Sequence, residues 1–346
     1  VVARLRGAGA GESDGISKIV RALGPAAQAP PDLAPAVFSR DATVAEAVRG
    51  AIAAAAVRIT THDAGVRTGE DPEDVHQARV GTRRLRSDLR TLGPLLDPGW
   101  VDHLRAEAGW FADQLGVVRD AEVLAERLER EARKLAPEDA EGVAGLCARL
   151  ADDREAGRAR LLEAMNTPRY LALLETLVSA ATAPVFAAPG VDSPTGADGG
   201  HPRPGTDPAR WAAAEALPPL VRKPWRKLRR AVEALGAEPS DAELHRVRIL
   251  AKRARYAAEA AAPVMGRQAS AFAGAVARLQ TVLGDHQDAC VAETWLRRHV
   301  PAARPAEAML VGQLIGLQRA EAAQCRAAWP AVWKAARKKS LRDWMR

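Results

Sequence analysis

Apolar residues recur at three- and four-residue intervals along most of the chain, the period of helices that bury one face. The pattern predicts helices near residues 43–67, 73–95, 99–117, 120–135, 138–166 and 168–181. It predicts a second set near 209–235, 241–261, 267–284, 288–299, 304–328 and 330–345. The 209–235 segment holds Pro218, Pro219 and Pro224, which remove backbone donors and are expected to interrupt it. Two stretches lose the period. Residues 1–35 are rich in Gly, Ala and Pro, with one short helical stretch around Ile16–Leu23. Residues 183–208 carry 6 Pro and 5 Gly, a density that no regular helix survives. The expected organisation is a tail over 1–35, a helical bundle over 36–182, a linker over 183–208 and a second bundle over 209–346.

The two helical sets share a polar signature. His76-Gln-Ala-Arg79-Val-Gly-Thr-Arg83-Arg84-Leu-Arg86 recurs as His245-Arg-Val-Arg248-Ile-Leu-Ala-Lys252-Arg253-Ala-Arg255, 169 residues later. Both read H-x-x-R-x-x-x-[RK]-R-x-R. Asp71-Pro72-Glu73-Asp74 supplies a cap, a proline at the first helical position and early acids. Ser240-Asp241-Ala242-Glu243 is a capping box. The motif histidine is then the fifth helical residue in both copies. Downstream, Leu115-Gly116-Val-Val-Arg119-Asp120-Ala121-Glu-Val123 matches Leu283-Gly284-Asp-His-Gln-Asp288-Ala289-Cys-Val291, offset by 168. A duplicated unit follows, and with it an all-α fold of two similar antiparallel bundles related by a pseudo-twofold axis. Composition agrees, because Ala and Leu dominate and aromatics are only 4%.

Helical geometry turns the motif into a surface. With His76 at zero, Arg79, Arg83, Arg86 and Arg90 fall at about 300°, 340°, 280° and 320°. Ala78, Leu85, Leu89 and Leu92 form a separate apolar stripe that can face the core. His245, Arg248, Lys252 and Arg255 repeat the cationic arc, while Arg84 and Arg253 sit about 80° to its other side. Four or five cations in file repel one another unless an anion lies along them, and guanidinium groups match phosphate oxygens. Glu259 parallels Arg90 and leaves the far end of the second file less basic. Arg222-Lys223-Pro224-Trp225-Arg226-Lys227-Leu228-Arg229-Arg230 adds a third run with six cations in nine residues. From it, Arg226, Arg229 and Arg230 are expected at the groove if its helix neighbours 241–261. The C-terminal cluster of Lys334, Arg337, Lys338, Lys339, Arg342 and Arg346 reads as peripheral.

Net charge is +7, unevenly spread: residues 209–346 hold 25 Lys+Arg against 12 Asp+Glu, and residues 1–208 hold 25 against 31. The arginines of the first motif are therefore concentrated against an acidic background. Cys147, Cys290 and Cys325 show no CxxC and no partner at metal-ligand spacing, so they read as buried apolar residues in a reducing compartment. With no run of about 18 apolar residues and no secretory leader, the expectation is a cytoplasmic protein with no membrane contact.

On these residues the chain resembles the conserved histidine α-helical domain, or CHAD, family, over roughly residues 36–345. The two H-x-x-R-x-x-x-[RK]-R-x-R helices and the two L-G-x-x-x-D-A-x-V segments carry the resemblance. It implies two four-helix bundles that bind inorganic polyphosphate in a basic groove or pore, and an association with polyphosphate granules. Carried over by position, the ligands would be His76, Arg79, Arg83, Arg84, Arg86, Arg90, His245, Arg248, Lys252, Arg253 and Arg255, with Arg226 and Arg230 added from the third run. Family members often follow a CYTH module, and Ser17–Leu23 looks like the end of one. The long Pro/Gly linker at 183–208 departs from the family pattern.

The alternative reading is a nucleic-acid-binding helical protein using the same basic surface. Against it, no helix-turn-helix, zinc-finger or RNA-recognition pattern is present, and aromatics do not interleave with the cations. An enzyme of phosphate metabolism would want a P-loop or a two-metal carboxylate cluster, and neither is recognisable. His62-Asp63 resembles a fragment of a metal-hydrolase site without its other ligands. No catalytic residue, cofactor or metal is expected.

Overall fold

A computed structural model describes residues 2–9, 15–24, 33, 40–137, 142–188, 207–299 and 305–345. Much of the expected tail, most of the expected linker and Arg346 lie outside the described residues. The long helices are α1 (Val44–Thr61), α2 (Pro72–Leu92), α3 (Pro98–Ala132), α4 (Val143–Met165) and α5 (Pro168–Thr182) in the first half. In the second they are α6 (Ala213–Glu233), α7 (Asp241–Met265), α8 (Arg267–His299) and α9 (Pro305–Ala336). Extended pairing among the described residues is limited to two isolated bridges, Thr43 with Ala212 and Leu96 with Phe186. The fold is all-α, and no described helix is long and apolar enough to cross a membrane.

Local chemistry sets the helix starts. Thr43 and Glu46 close a capping box on α1, and Ser240 and Glu243 close one on α7. Asp71, Asp97 and Thr167 cap α2, α3 and α5, each followed by proline. These side-chain oxygens take up backbone donors that the first turn leaves over, while proline has none to satisfy. His76 and His245 are each the fifth residue of their helix, as the cap register requires.

Several expected breaks are absent. The segments expected over 99–117 and 120–135 merge into the 35-residue helix Pro98–Ala132, and those over 267–284 and 288–299 into one of 33. Gly116 and Gly284 therefore sit inside helices, where each costs about 1 kcal/mol relative to alanine, too little to end a helix packed along its length. Likewise α6 runs unbroken through Pro218, Pro219 and Pro224, and α9 through Pro330. Proline's fixed φ is helical, so its cost is a lost hydrogen bond and local crowding. In α6 that cost is offset by burying Leu217, Leu220, Val221, Trp225, Leu228 and Val232 on one face, at about 1.5–3 kcal/mol each.

Packing follows chain order in both halves. Helix α2 packs between α1 and α3, and α7 between α6 and α8; α4 lies on α3 and α9 on α8. The first half adds α5, which lies on α1. The halves meet through the motif helices α2 and α7. They also meet where α1 and α6 begin: Val44 N donates to Trp211 O and Ala213 N to Ala42 O, both at 2.9 Å. Residues 211 and 213 stand 169 positions after residues 42 and 44, so corresponding positions bond reciprocally.

The main core is continuous across both halves, with Leu85, Leu89, Phe111 and Tyr170 joined to Trp225, Val247, Ala254 and Phe272. A smaller core at the far end gathers Leu128, Leu146 and Leu150 with Leu296, Leu310, Val311 and Leu314. Beside it the buried Arg127 of α3 donates to Gln318 Oε1 at 2.6 Å and to Glu321 Oε2 at 2.7 Å, both on α9. Replacing Leu128 with Ala should lower unfolding free energy by about 2–5 kcal/mol. Denaturant titration followed by circular dichroism should still show one cooperative transition, whereas two transitions would mean that the halves hold independent cores.

Candidate functional site

Helices α2 and α7 lie together with their cations concentrated rather than dispersed. Burial, followed by the charges of Arg83, Arg248, Arg79 and Arg255, pushes the Lys252 ammonium down to about 7. Five of the cations proposed from sequence, two on α2 and three on α7, thus share one electrostatic environment. Arg83 donates from Nη2 to Tyr256 Oη at 3.4 Å, while its buried Nε has no hydrogen-bond partner. Arg248 Nε and His245 Nδ1 are also buried without partners. Unmet buried donors of this kind are costly unless an anion or water answers them.

Acidic groups hold this arrangement together. Glu259 of α7 accepts from Arg84 of α2 and from Arg255 of its own helix, both at 2.6 Å. Arg84 also pairs with Asp88 at 2.8 Å. Burial opposes the charge on Arg84, but Asp88 and Glu259 outweigh it and raise its pKa. Asp88 is 1% exposed, and burial lifts its carboxyl to about 7 against the pull of Arg84. The Tyr256 ring lies 6.0 Å from the Arg84 guanidinium and 5.4 Å from that of Arg255. Arg84 and Arg255 therefore serve the join between the helices.

The L-G-x-x-x-D segments explain the first arginine of each motif. Arg79 Nη1 donates to Gly116 O at 2.9 Å and pairs with Asp120 at 2.8 Å. In the second half Arg248 Nη2 stands 4.0 Å from Asp288. A Cβ at residue 116 would lie 3.4 Å from Arg79 Nη1, and one at 284 would lie 3.6 Å from Arg248 Nε. Arg86 repeats the approach over Gly109, where a Cβ would sit 3.5 Å from its guanidinium. Arg79 and Arg86 are seven residues apart, as are Gly109 and Gly116, so two arginines of α2 cross α3 at two glycines. Any longer side chain at those positions would displace them.

A second cationic group lies at the junction of α2, α6 and α7. Burial, then Arg253, Arg105 and Arg86, lowers the pKa of Arg90. A pocket there is lined by Arg90, Arg253, Lys223, Lys227, Ser87 and Thr91, with apolar neighbours. Lys223 and Lys227 occupy the place expected for Arg226. On α6 they flank the side of the apolar face toward α2 and α7, whereas Arg222 and Arg229 flank the other side. Arg226 lines a separate pocket with Arg222, Arg229, Lys339 and Arg342 beside Trp225. Arg230 is exposed on the same helix, between the two flanks. His76, like His245, is half-buried at the head of its motif.

The sequence did not single out Tyr256, Asp88, Lys223, Lys227, Arg105 or Gly109. The spacing of Lys223 and Lys227 was visible, but which flank of α6 meets α7 was not. Elsewhere, His62 and Asp63 are already engaged, His62 with Asp74 at 2.7 Å and Asp63 with Arg67 at 2.9 Å. The three cysteines are free thiols of intermediate exposure rather than fully buried residues. All three lie on helices where an apolar side chain can be partly covered from the flanks.

A family model described as the CHAD domain matches residues 50–297. Among curated relatives, the uncharacterized protein Rv2226 of Mycobacterium tuberculosis strain H37Rv is 33% identical over 313 residues, covering 88% of this chain and 54% of that protein. The uncharacterized protein MT2285 of the CDC 1551 strain matches to the same extent. The chain thus spans about half the length of the curated relatives it matches. Among solved structures, the CHAD domain from the plant Ricinus communis aligns with a TM-score of 0.64 at 25% identity, over 89% of this chain and 96% of that one. PptA from Streptomyces chartreusis aligns with a TM-score of 0.66 at 23% identity, over 85% and 100% respectively. With most of its length matched by the family model and by relatives of this similarity, the chain belongs to the CHAD domain family.

Proposed function

We propose that the chain binds inorganic polyphosphate, without catalysis, along the seam between α2 and α7. The observation that carries this reading is the gathering of Arg79 and Arg83 of α2 with Arg248 and Arg255 of α7 around the partly buried Lys252, whose ammonium burial and these charges disfavour. Such a convergence is unfavourable in the free protein and is relieved by a polyanion. The unmet Nε–H donors of Arg83 and Arg248 are ready to meet its oxygens. Arg90, Arg253, Lys223 and Lys227 extend the basic surface beyond the seam. In this reading Arg79, Arg84 and Arg255 contribute field as well as structure, because each already holds an acidic partner. An approximate twofold relation between the halves, which the reciprocal bonds at residues 42–44 and 211–213 support, gives the polymer similar cations from each motif. In the full-length protein an upstream CYTH module would be a neighbour to which bound polymer is presented.

Competition against a labelled long-chain polyphosphate at several salt concentrations tests the claim. Long chains should displace the label far better than triphosphate or single-stranded DNA of equal charge, with affinity falling steeply as salt rises. Equal affinity for the DNA would favour a general phosphodiester-binding surface instead. The double substitution Arg83→Glu with Lys252→Glu should abolish binding while helicity stays close to that of the parent. Retained binding would move the site elsewhere.

The binding should also depend on pH through Lys252. Below about pH 7 the free protein already carries this proton. Bound polyanion raises the lysine's pKa, so above that value binding takes up a proton and affinity declines as pH rises. Polyphosphate end groups titrate in the same region, so the informative quantity is the difference from Lys252→Met. That variant should bind more weakly at pH 6 and show a flatter decline between about pH 7 and pH 9. Identical slopes would remove Lys252 from the contact.

A further inference from the structure

Away from the basic seam, Asp241, His286 and Cys290 bring one oxygen, one ring nitrogen and one sulfur within 4.8 Å of one another. Asp241 opens α7, while His286 and Cys290 stand four residues apart on α8, on one face of that helix. His286 is 1% exposed, and neither ring nitrogen makes a hydrogen bond. Its Nε2 lies 3.2 Å from Asp241 Oδ1, an ion-pair contact when the ring is protonated. The duplicated framework does not require a histidine there. At the 168-residue offset, the first half has Val118, which is buried, and Glu122 in place of His286 and Cys290.

The geometry points to a site for one thiophilic divalent metal ion of the zinc class, held by Asp241, His286 and Cys290. Carboxylate, imidazole and thiolate are the donor types such ions take, and water completes a tetrahedral set. Burial, then the charge of Arg326, lowers the imidazole's pKa against the pull of Asp241, which favours the form that offers a lone pair. As the metal–sulfur bond forms, the Cys290 thiol releases its proton to solvent. Because ligation displaces that proton, metal uptake weakens as pH falls. Arg326, which donates to Asp241 and to the Pro239 carbonyl, competes with the ion for the carboxylate. Occupancy ties the start of the motif helix α7 to α8.

Cobalt(II) titration of the intact, metal-free chain, with no polyphosphate present, tests this. One equivalent should produce a thiolate-to-cobalt charge-transfer band and tetrahedral visible bands, and zinc should bleach them. Cys290→Ser should lose the charge-transfer band although Cys147 and Cys325 remain. Asp241→Asn, at an exposed position, should weaken binding at least tenfold with helicity unchanged. Zinc should raise the melting temperature of the parent but not of Cys290→Ser. A missing band at one equivalent, or a band that survives Cys290→Ser, overturns the site. Neither result bears on the polyphosphate reading, whose residues take no part.

Discussion

Packing two cationic helices against each other is opposed by their own charge, and the structure depends on how that opposition is met. Glu259 meets it at the seam by accepting from Arg84 of α2 and Arg255 of α7 together. An exposed ion pair is worth little, but this one is partly buried and shared by two guanidiniums. Removing the acid would leave two arginines facing each other across a join that must stay closed. Asp120 neutralises Arg79, and Asp288 lies within charge range of Arg248. The remaining cations, Lys252 above all, are left in mutual repulsion. In the proposed binding mode, stability of the join and readiness for an anion fall to different members of one motif.

The apolar faces supply the rest. Leu85 and Leu89 of α2, with Val247 and Ala254 of α7, anchor the motif helices in a core that both halves share. Alanines on α7 let the helices approach closely, which brings the cations near enough to perturb one another. At the far end the Arg127–Gln318–Glu321 contacts and a second leucine cluster hold α3 against α9. The main core thus runs along both motif helices beneath the basic seam.

Much of this was legible in the sequence. Helical period, cap register and the duplicated strings led to an all-α member of the CHAD family with two motif helices. The apolar stripe through Leu85, Leu89 and Leu92 was read correctly, because periodicity reports which face a helix buries. Helix ends were less legible where Gly116, Gly284, Pro218, Pro219 and Pro330 suggested breaks, since local penalties of a few kcal/mol yield to burial along a whole helix. Pairing between distant elements was not legible at all. Glu259 looked like a lost cation and is the bridge between helices. Arg226 and Lys227 are adjacent in sequence and face different pockets. His286 stands four residues before Cys290 in the string, but Asp241 reaches that pair only through the turn from α7 to α8, so the cluster was not read.

The graded burial of the cations has a kinetic consequence. Arg90, Arg253, Lys223 and Lys227 stand at or near the surface, whereas Lys252 and Arg83 lie deeper, next to Tyr256. In the proposed complex the outer charges govern the rate of encounter, since they project their field into solvent and are screened by salt. The inner charges form contacts only after water has left the seam, so they govern how long the polymer stays. A polymer with many equivalent phosphates need not leave to change its position. Exchange at the inner group, with the outer group still engaged, would let the chain advance through the seam one segment at a time.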